Sequence, residues 1–347
     1  MRAEVGLAPR AVQPKERVTA MKYRTFGRTG VTVSEVGFGA WAIGGGWGRQ
    51  SDDESVAALN AALDLGCTFV DTAAGYGNGH SERLIGRVLD DRKLRGKVYV
   101  ATKTPPESNG PWPPSPYCRA DDRYPEAYLR RNVEERLRNL RADTIDLLQL
   151  HTWTRAWNDD PRPLLVLRQL QKEGKVRHVG VSTPEHDQNS VVQLMRAGLL
   201  DAVQVIYNIF EQEPAAQLLP AARAANVGVI VRVVFDEGAL TGKFTADTAF
   251  APDDFRSKYF EGDRLGRTVR RVEAIRADLG GSGYTLPQAA LRFALDHPAV
   301  GTVIPGIRTV AQAQANCAAS DLAPLPAPIM QRLRGHAWRR ALWYGGK

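Results

Sequence analysis

Phe69-Val70-Asp71-Thr72-Ala73-Ala74-Gly75-Tyr76-Gly77 is a short apolar run that ends on a carboxylate and gives way to a tyrosine between two glycines. With Thr68, its first residues predict a buried strand, and Asp71 sits where that strand runs out. Tyr76 lies five positions further on, in a loop that lets its phenol project into a cavity. An unperturbed phenol has a pKa near ~10 and gives up its proton reluctantly. It becomes a useful proton donor at neutral pH only beside a cation.

The same strand–loop–helix rhythm extends in both directions. Upstream, residues 22–38 predict a small hairpin turning at Arg28-Thr29-Gly30, then a strand ending at Gly37-Phe38-Gly39. Ser51-Asp52-Asp53-Glu54 forms a capping box for a helix carrying Val56, Leu59 and Leu63 and stopping at Gly66. Downstream, strands are expected over residues 98–102, 144–150, 176–181, 202–207, 227–234 and 301–304. Helices are expected over residues 81–89, 125–140, 164–173, 184–197, 214–225, 267–279, 286–296 and 309–318. Between residues 104 and 124 runs a long proline-rich loop with Trp112 and Tyr117, of the kind that is usually functional. Eight strand–helix alternations without a long linker favour a closed (β/α)8 TIM barrel over an open parallel sheet. The expected organisation is an N-terminal disordered arm, residues 1–20, then one barrel domain, residues 21–347, with an N-terminal β-hairpin and a C-terminal extension. The basic tail with Trp338 and Trp343 reads as a packed terminal helix.

A barrel gathers its chemistry at the C-terminal ends of its strands. Asp71 ends strand two, Lys103 follows strand three and His151 follows strand four. Neighbouring strand ends are ~5 Å apart, so these three and Tyr76 can converge. Lys103, held beside Asp71, supplies the missing cation and is expected to lower the pKa of the phenol. His151 can donate a hydrogen bond to a substrate oxygen.

Composition narrows the function classes. In 347 residues, 43% are hydrophobic and 24% charged, as in ordinary globular proteins. No apolar run approaches ~18 residues, so no membrane partner is expected. Met1–Ala20 lacks the apolar core of a secretory signal. Cys67, Cys118 and Cys317 are three, widely spaced, without Cys-x-x-Cys, which suits a cytoplasmic location. The net charge of +8 is interleaved with acids rather than blocked, which argues against nucleic acid and suits a basic pocket for a phosphorylated small molecule. None of the six histidines forms a tight ligand pair, so no metal is expected. Two patterns mimic an open dinucleotide-binding sheet: Gly37-x-Gly39-x-x-Ala42 and Tyr99-x-x-x-Lys103. The first runs into Gly44-Gly45-Gly46-Trp47-Gly48 instead of a helix. The second lies on a strand, where four residues span ~13 Å.

The motifs taken together resemble the aldo-keto reductase family. Asp71-Thr72-Ala73-Ala74-Gly75-Tyr76-Gly77, Lys103, Asp146–His151 and Val179-Gly180-Val181-Ser182 match in order. Val203-Gln204 with Tyr207-Asn208, Leu240-Thr241-Gly242-Lys243 and Ile304-Pro305-Gly306 continue the match, over residues 22–320. The resemblance implies an NADPH/NADP+-dependent carbonyl reductase working reversibly without metal on a small-molecule aldehyde, ketone or alcohol, as a monomer or weak oligomer. Tyr76 would be the general acid, Asp71 and Lys103 its tuners, and His151 the carbonyl's guide. Ser182, Thr183 and Gln204 would hold the nicotinamide amide, with Tyr207 stacked on the ring. Gly39, Ala40, Trp41 and Asp71 would border the cofactor on one side. Arg232, Val233, Phe235 and Gly238 would do so on the other. Leu240, Gly242 and Lys243 would line the pyrophosphate loop, and Ile304, Gly306, Arg308, Gln312 and Asn316 the adenosine end. Trp41, Trp47, Trp112, Tyr117 and Trp153, with Tyr76 and His151, would form a substrate pocket suited to a bulky ketone or a sugar.

Three features depart from the family pattern. Thr183 stands where an asparagine is usual, Arg232-Val233-Val234 replaces Ser-Pro-Leu, and Asp236-Glu237 brings two acids towards an anionic pyrophosphate. A non-catalytic NADPH-binding, redox-sensing subunit is the alternative reading, and the complete tetrad favours the enzyme.

Overall fold

The computed structural model describes residues 20–107, 110, 114–115 and 117–339. The expected arm and Trp343 therefore lie outside the described residues, as does Trp112. The chain opens with an antiparallel hairpin, β1 (Tyr23–Thr25) and β2 (Thr32–Ser34). Its connection closes through Gly30 in the left-handed region, φ 69°, which only glycine adopts freely. Phe26 projects from the hairpin onto two barrel glycines. A Cβ on Gly228 or on Gly301 would meet its ring at 2.8 Å. The ring packs with Phe69, Tyr99, Leu147 and Ile230, so the hairpin plugs one mouth of the barrel with apolar surface.

Eight strands follow, all parallel and in chain order: β3 (Phe38–Gly39), β4 (Phe69–Asp71), β5 (Tyr99–Thr104), β6 (Ile145–Leu150), β7 (Val176–Ser182), β8 (Ala202–Ile206), β9 (Gly228–Arg232) and β10 (Thr302–Val303). The ends of the sheet meet. Gly37 N–H donates to Val303 O at 2.8 Å, Val303 N–H to Glu35 O at 2.9 Å and Gly39 N–H to Pro305 O at 3.0 Å. This is the (β/α)8 architecture. Strands buried on both faces need apolar residues at successive positions, which is why Ile145–Leu150 and Ala202–Ile206 read as near-continuous hydrophobic runs.

The outer helices are α1 (Asp52–Asp64), α2 (His80–Asp91), α3 (Ala120–Arg123), α4 (Glu126–Leu140), α5 (Arg162–Lys172), α6 (Val192–Arg196), α7 (Leu218–Ala224), α8 (Arg256–Tyr259), α9 (Arg264–Asp278), α10 (Leu286–Leu295), α11 (Val310–Ala318) and α12 (Ala327–Arg334). The Ser51 capping box is formed, with Glu54 N–H on Ser51 Oγ at 3.2 Å and Ser51 N–H on Glu54 Oε2 at 3.1 Å. The last helix among the described residues is α12, after which Trp338 docks on Phe210 with ring centroids 5.6 Å apart.

Two expectations fail locally. The helix over residues 184–197 shrinks to a 3-10 turn (Gln188–Val191) and α6. Buried Gln188 accepts from Ile206 N–H at 2.6 Å, and Ser190 O accepts from Asn158 at 2.8 Å. Those tertiary bonds take precedence over helical ones. The strand expected to reach Val234 stops at Arg232, because Val233 turns to φ 54°, a conformation costly for a β-branched residue.

The hairpin is fastened to the barrel through one buried carboxylate. Glu35, 2% exposed, accepts from Arg24 at 2.6 Å, from Arg292 of α10 at 3.1 Å and from Ser320 at 2.9 Å. Removing one member strands the other charges in a poorly solvated place, at a cost of about 3–5 kcal/mol. Glu35→Ala is therefore expected to lower unfolding stability by that amount in urea titration, and a loss below about 1 kcal/mol would show the cluster to be well hydrated.

Candidate active site

Strand alternation decides which side chains enter the barrel. Asp71 closes β4, Lys103 lies inside β5 rather than after it, and His151 follows β6. Each shares the inward face of its strand with a core residue two or four positions earlier: Phe69, Tyr99 and Leu147. Tyr76 comes from the β4–α2 loop, where Gly77 adopts φ 61°. Gly44 packs so closely on that loop that a Cβ there would lie 2.7 Å from Tyr76 Cα.

The four groups meet at one end of the barrel. The Lys103 ammonium donates to Asp71 Oδ1 in a short ion pair, to Thr72 O at 2.9 Å and to the Tyr76 hydroxyl at 3.3 Å. Its three N–H groups are thereby used. The other Asp71 oxygen accepts from Gln204 at 2.7 Å and from Gln149 at 3.3 Å. The Tyr76 and His151 rings meet edge-on, with centroids 6.1 Å apart.

Electrostatics correct one expectation. Burial raises the Tyr76 phenol, and Lys103 acts against that rise without reversing it. The phenol therefore stays protonated at neutral pH. Burial would lower the Lys103 pKa, yet Asp71 and Tyr76 outweigh it and keep the amine charged. Burial, helped by Lys103 and Arg232, holds the His151 pKa well below its ordinary value, so the imidazole is neutral.

Above this cluster opens a cavity of about 1350 Å³, larger than the ~300–1,000 Å³ of small-ligand pockets. Asp71, Tyr76 and His151 line it, as do Gly39, Ala40 and Trp41. Ser182, Thr183 and Gln204 form one wall, and Arg232, Val233, Phe235 and Gly238 another. Trp47, Ile304 and Gly306 close the far side. The Thr183 hydroxyl is occupied by Gln204 O at 3.1 Å. Arg232 donates to Thr183 O and to Glu185, both at 3.0 Å.

Other candidates stand elsewhere. Tyr207 is outside the cavity: its ring packs on Phe293 and His297, with centroids 5.4 and 5.7 Å away. It follows the end of β8, and its ring faces α10 rather than the cavity. Trp153 is 1% exposed and packs on Trp157, while Tyr117 is 98% exposed, so neither walls the cavity. Leu240 is buried beneath the loop after β9, and Lys243 is exposed beyond it. The Gly242 carbonyl accepts from Arg276 at 3.3 Å. Gln312 accepts from Arg308 N–H at 2.8 Å, and Asn316 is buried in α11. Conversely, Gln149 and Glu185 belong to the site and were not anticipated. Gln149 shares the inward parity of Leu147 and His151, a signal present in the sequence; Glu185 sits in a loop and had none.

The loop after β9 is strained and acidic. Val233, Asp236 and Glu237 all have φ between 52° and 54°. Glu237 is 5% exposed, and its carboxyl accepts from the Trp47 indole N–H at 3.2 Å. Burial, with Asp236 nearby, pushes its pKa up to about 7 from an ordinary 4.5. The folded state therefore keeps this proton longer than the unfolded chain does. Stability from this group is intact below pH 4.5 and falls as pH rises to about 7, by on the order of 3 kcal/mol. Glu237→Gln is expected to match the parent near pH 4.5 and to exceed its stability at pH 8 by up to that amount; parallel urea curves at both pH values would contradict it.

Comparison with known proteins agrees with this geometry. The profile described as "Aldo/keto reductase family" matches residues 35–337. "Aldo-keto reductase YhdN" of Bacillus subtilis (strain 168) is 31% identical over 303 residues, 85% of this chain and 87% of that protein. "NADH-specific methylglyoxal reductase" of Escherichia coli (strain K12) is 28% identical, covering 87% of this chain and 94% of its own. Among solved structures, the holo form of aldo-keto reductase AKR11C1 from Bacillus halodurans aligns with a TM-score of 0.73 at 25% identity, over 92% of this chain and 98% of that one. With barrel, converging tetrad and profile in accord, the chain belongs to the aldo/keto reductase family and is an NAD(P)-dependent oxidoreductase.

Proposed function

We propose that the protein reduces an aldehyde or ketone to the alcohol, reversibly and with NADPH, using Tyr76 as the proton donor. The observation that carries this reading is the Lys103 ammonium, fixed by Asp71 and 3.3 Å from the Tyr76 hydroxyl at the floor of the cavity.

The cavity fits a dinucleotide. It is large enough for one. Ser182 and Gln204 line it and offer polar groups for a carboxamide. When bound, the nicotinamide supplies the hydride. The chain's own residues do the rest. Tyr76 O–H passes its proton to the carbonyl oxygen as charge develops there. Lys103 stabilises the phenolate left behind, the preorganised electrostatic help that matters most in such reactions. Neutral His151 donates a hydrogen bond that orients the same oxygen. Trp41, Trp47 and Phe255 give the apolar part of the substrate, a bulky ketone or a sugar carbonyl, an aromatic wall. Preference for NADPH rests on Arg308 near the adenosine end, since guanidinium pairs well with phosphate; the Escherichia coli relative is described as NADH-specific. Three free cysteines suit a cytoplasmic setting.

Tyr76→Phe is expected to lower kcat for carbonyl reduction by about 10²–10⁴-fold, the usual weight of a general acid. NADPH affinity should stay within about twofold, since the phenol mainly serves the oxygen. Retained turnover would remove Tyr76 from the acid role. A second expectation concerns pH. With the phenol raised and His151 held neutral, kcat for reduction should be flat from about pH 6 to about pH 9 and fall only as the phenol ionises. A bell with an acidic limb near the ordinary histidine pKa would contradict it.

A further inference from the structure

Tyr76 is tethered to the rest of the site from two sides. On one, the loop after β4 follows β5: Thr72 N–H donates to Ala101 O at 2.8 Å and Ala74 N–H to Lys103 O at 3.0 Å. Past Ala74 that ladder ends. The Tyr76 N–H turns back to Ala73 O at 3.1 Å, and its carbonyl accepts from Ser81 N–H at 3.2 Å. The second tether is therefore the first turn of α2. Ser81 anchors that turn to the loop, since its hydroxyl accepts from Thr72 Oγ1 at 2.8 Å and donates to Ala40 O at 3.3 Å.

The next residue, Glu82, carries the turn across to β5. It is fully buried and stands outside the cavity wall. Its Oε1 accepts from the Thr102 hydroxyl at 2.6 Å. Alternation along β5 sends Thr102 outward where its neighbour Lys103 points in. The other Glu82 oxygen accepts from Asn139 at 3.0 Å and lies 2.7 Å from Arg136 Nε, both of α4. Helices α2 and α4 meet almost backbone to backbone there, for a Cβ on Gly86 would stand 2.8 Å from Asn139 O. Burial raises the carboxyl's pKa, and Arg136 is foremost among the groups opposing that rise. A buried ion pair gains little stability over apolar residues of the same volume. What this one supplies is direction: it runs from the residue beside Ser81 to the residue beside Lys103.

We propose that Glu82 is a positioning residue for the tetrad: held by Arg136 and Asn139, it binds Thr102 and so fixes the reach of the Lys103 ammonium to the Tyr76 hydroxyl. Its consequence for turnover rests on the proposed role of Tyr76 as proton donor. Glu82 acts only through its neighbours, Ser81 on the side of the phenol and Thr102 on the side of the amine. The contact it protects, 3.3 Å from ammonium to phenol, lies at the long edge of hydrogen-bond range. A small outward drift of either element breaks it.

Glu82→Ala takes away the inner partner of the buried Arg136 guanidinium and can prevent folding. Thr102→Val is the cleaner cut: it keeps the shape, leaves the ion pair whole and removes the bond to β5. Single-turnover reduction of 4-nitrobenzaldehyde by the NADPH-loaded full chain should slow by about 10- to 100-fold in Thr102→Val, the scale of a displacement of about 1 Å. KM for the aldehyde and NADPH affinity should stay within about twofold, and Thr102→Ser should recover the rate. Carbon-13 NMR of the chain with tyrosine labelled at Cζ reads the contact without turnover, the Tyr76 signal being assigned by its loss in Tyr76→Phe. That signal should move in Thr102→Val, return in Thr102→Ser and stay in place in Glu35→Ala, which loosens the hairpin instead. A signal that stays put in Thr102→Val, or moves as far in Glu35→Ala, overturns the positioning role. A signal that moves while the single-turnover rate holds overturns Tyr76 as the acid and leaves the positioning role standing.

Discussion

An ammonium buried in a barrel is tolerable only when every one of its protons has a partner, and the top of this barrel is arranged to meet that demand. Lys103 is spent on Asp71, Thr72 O and the Tyr76 hydroxyl. Asp71 in turn is satisfied from β6 by Gln149 and from β8 by Gln204. Four strands thus converge on one ion pair, and shifting any of them would leave a charge exposed to a medium that stabilises it poorly. The network fixes the phenol against a cation without letting the cation roam. In this Tyr76 differs from a buried tyrosine such as Tyr124, whose hydroxyl rests on Thr152 O.

The pair also sets the protonation states around it. The ammonium opposes burial at Tyr76 but does not overcome it, so the phenol holds its proton at neutral pH. Burial, helped by the same charge and Arg232, keeps His151 neutral. A neutral imidazole can donate or accept, whereas a cationic one would compete with the phenol as an acid. Burial leads at both groups, and the cation adds to it at the imidazole and opposes it at the phenol.

Much of this was legible in the sequence because barrel strands impose a simple parity. Asp71, Lys103 and His151 fall on inward positions, as do Gln149, Gln204 and Arg232. Tyr207 comes just past the end of β8, where its ring turns to Phe293 and His297. The stacking role implied by family resemblance conflicts with that placement. Loops obey no such period. The shortening of the helix over residues 184–197 depends on where Gln188 and Ser190 find distant partners. The reach of Trp47 to Gly306, where a Cβ would meet its ring at 2.1 Å, depends on two left-handed glycines, Gly45 and Gly48, whose angles no local pattern dictates. Gly44, Gly45 and Gly46 read as loop, but not as a loop with a destination.

The acids after β9 looked incompatible with an anionic ligand, and the fold reconciles them. Asp236 is absent from the cavity wall and meets the Tyr259 hydroxyl at 3.1 Å. Glu237 does face the cleft, yet burial and its neighbour bring it close to neutrality at physiological pH. A half-protonated carboxyl holding an indole repels a phosphate far less than a free carboxylate would. The left-handed turns at Val233, Asp236 and Glu237 swing the two acids apart, one beneath the loop and one against Trp47. Strain at such positions persists only where the surroundings over-determine it. Here Asn208 grips Val233 O at 2.8 Å, and the Trp47 indole holds the Glu237 carboxyl at 3.2 Å.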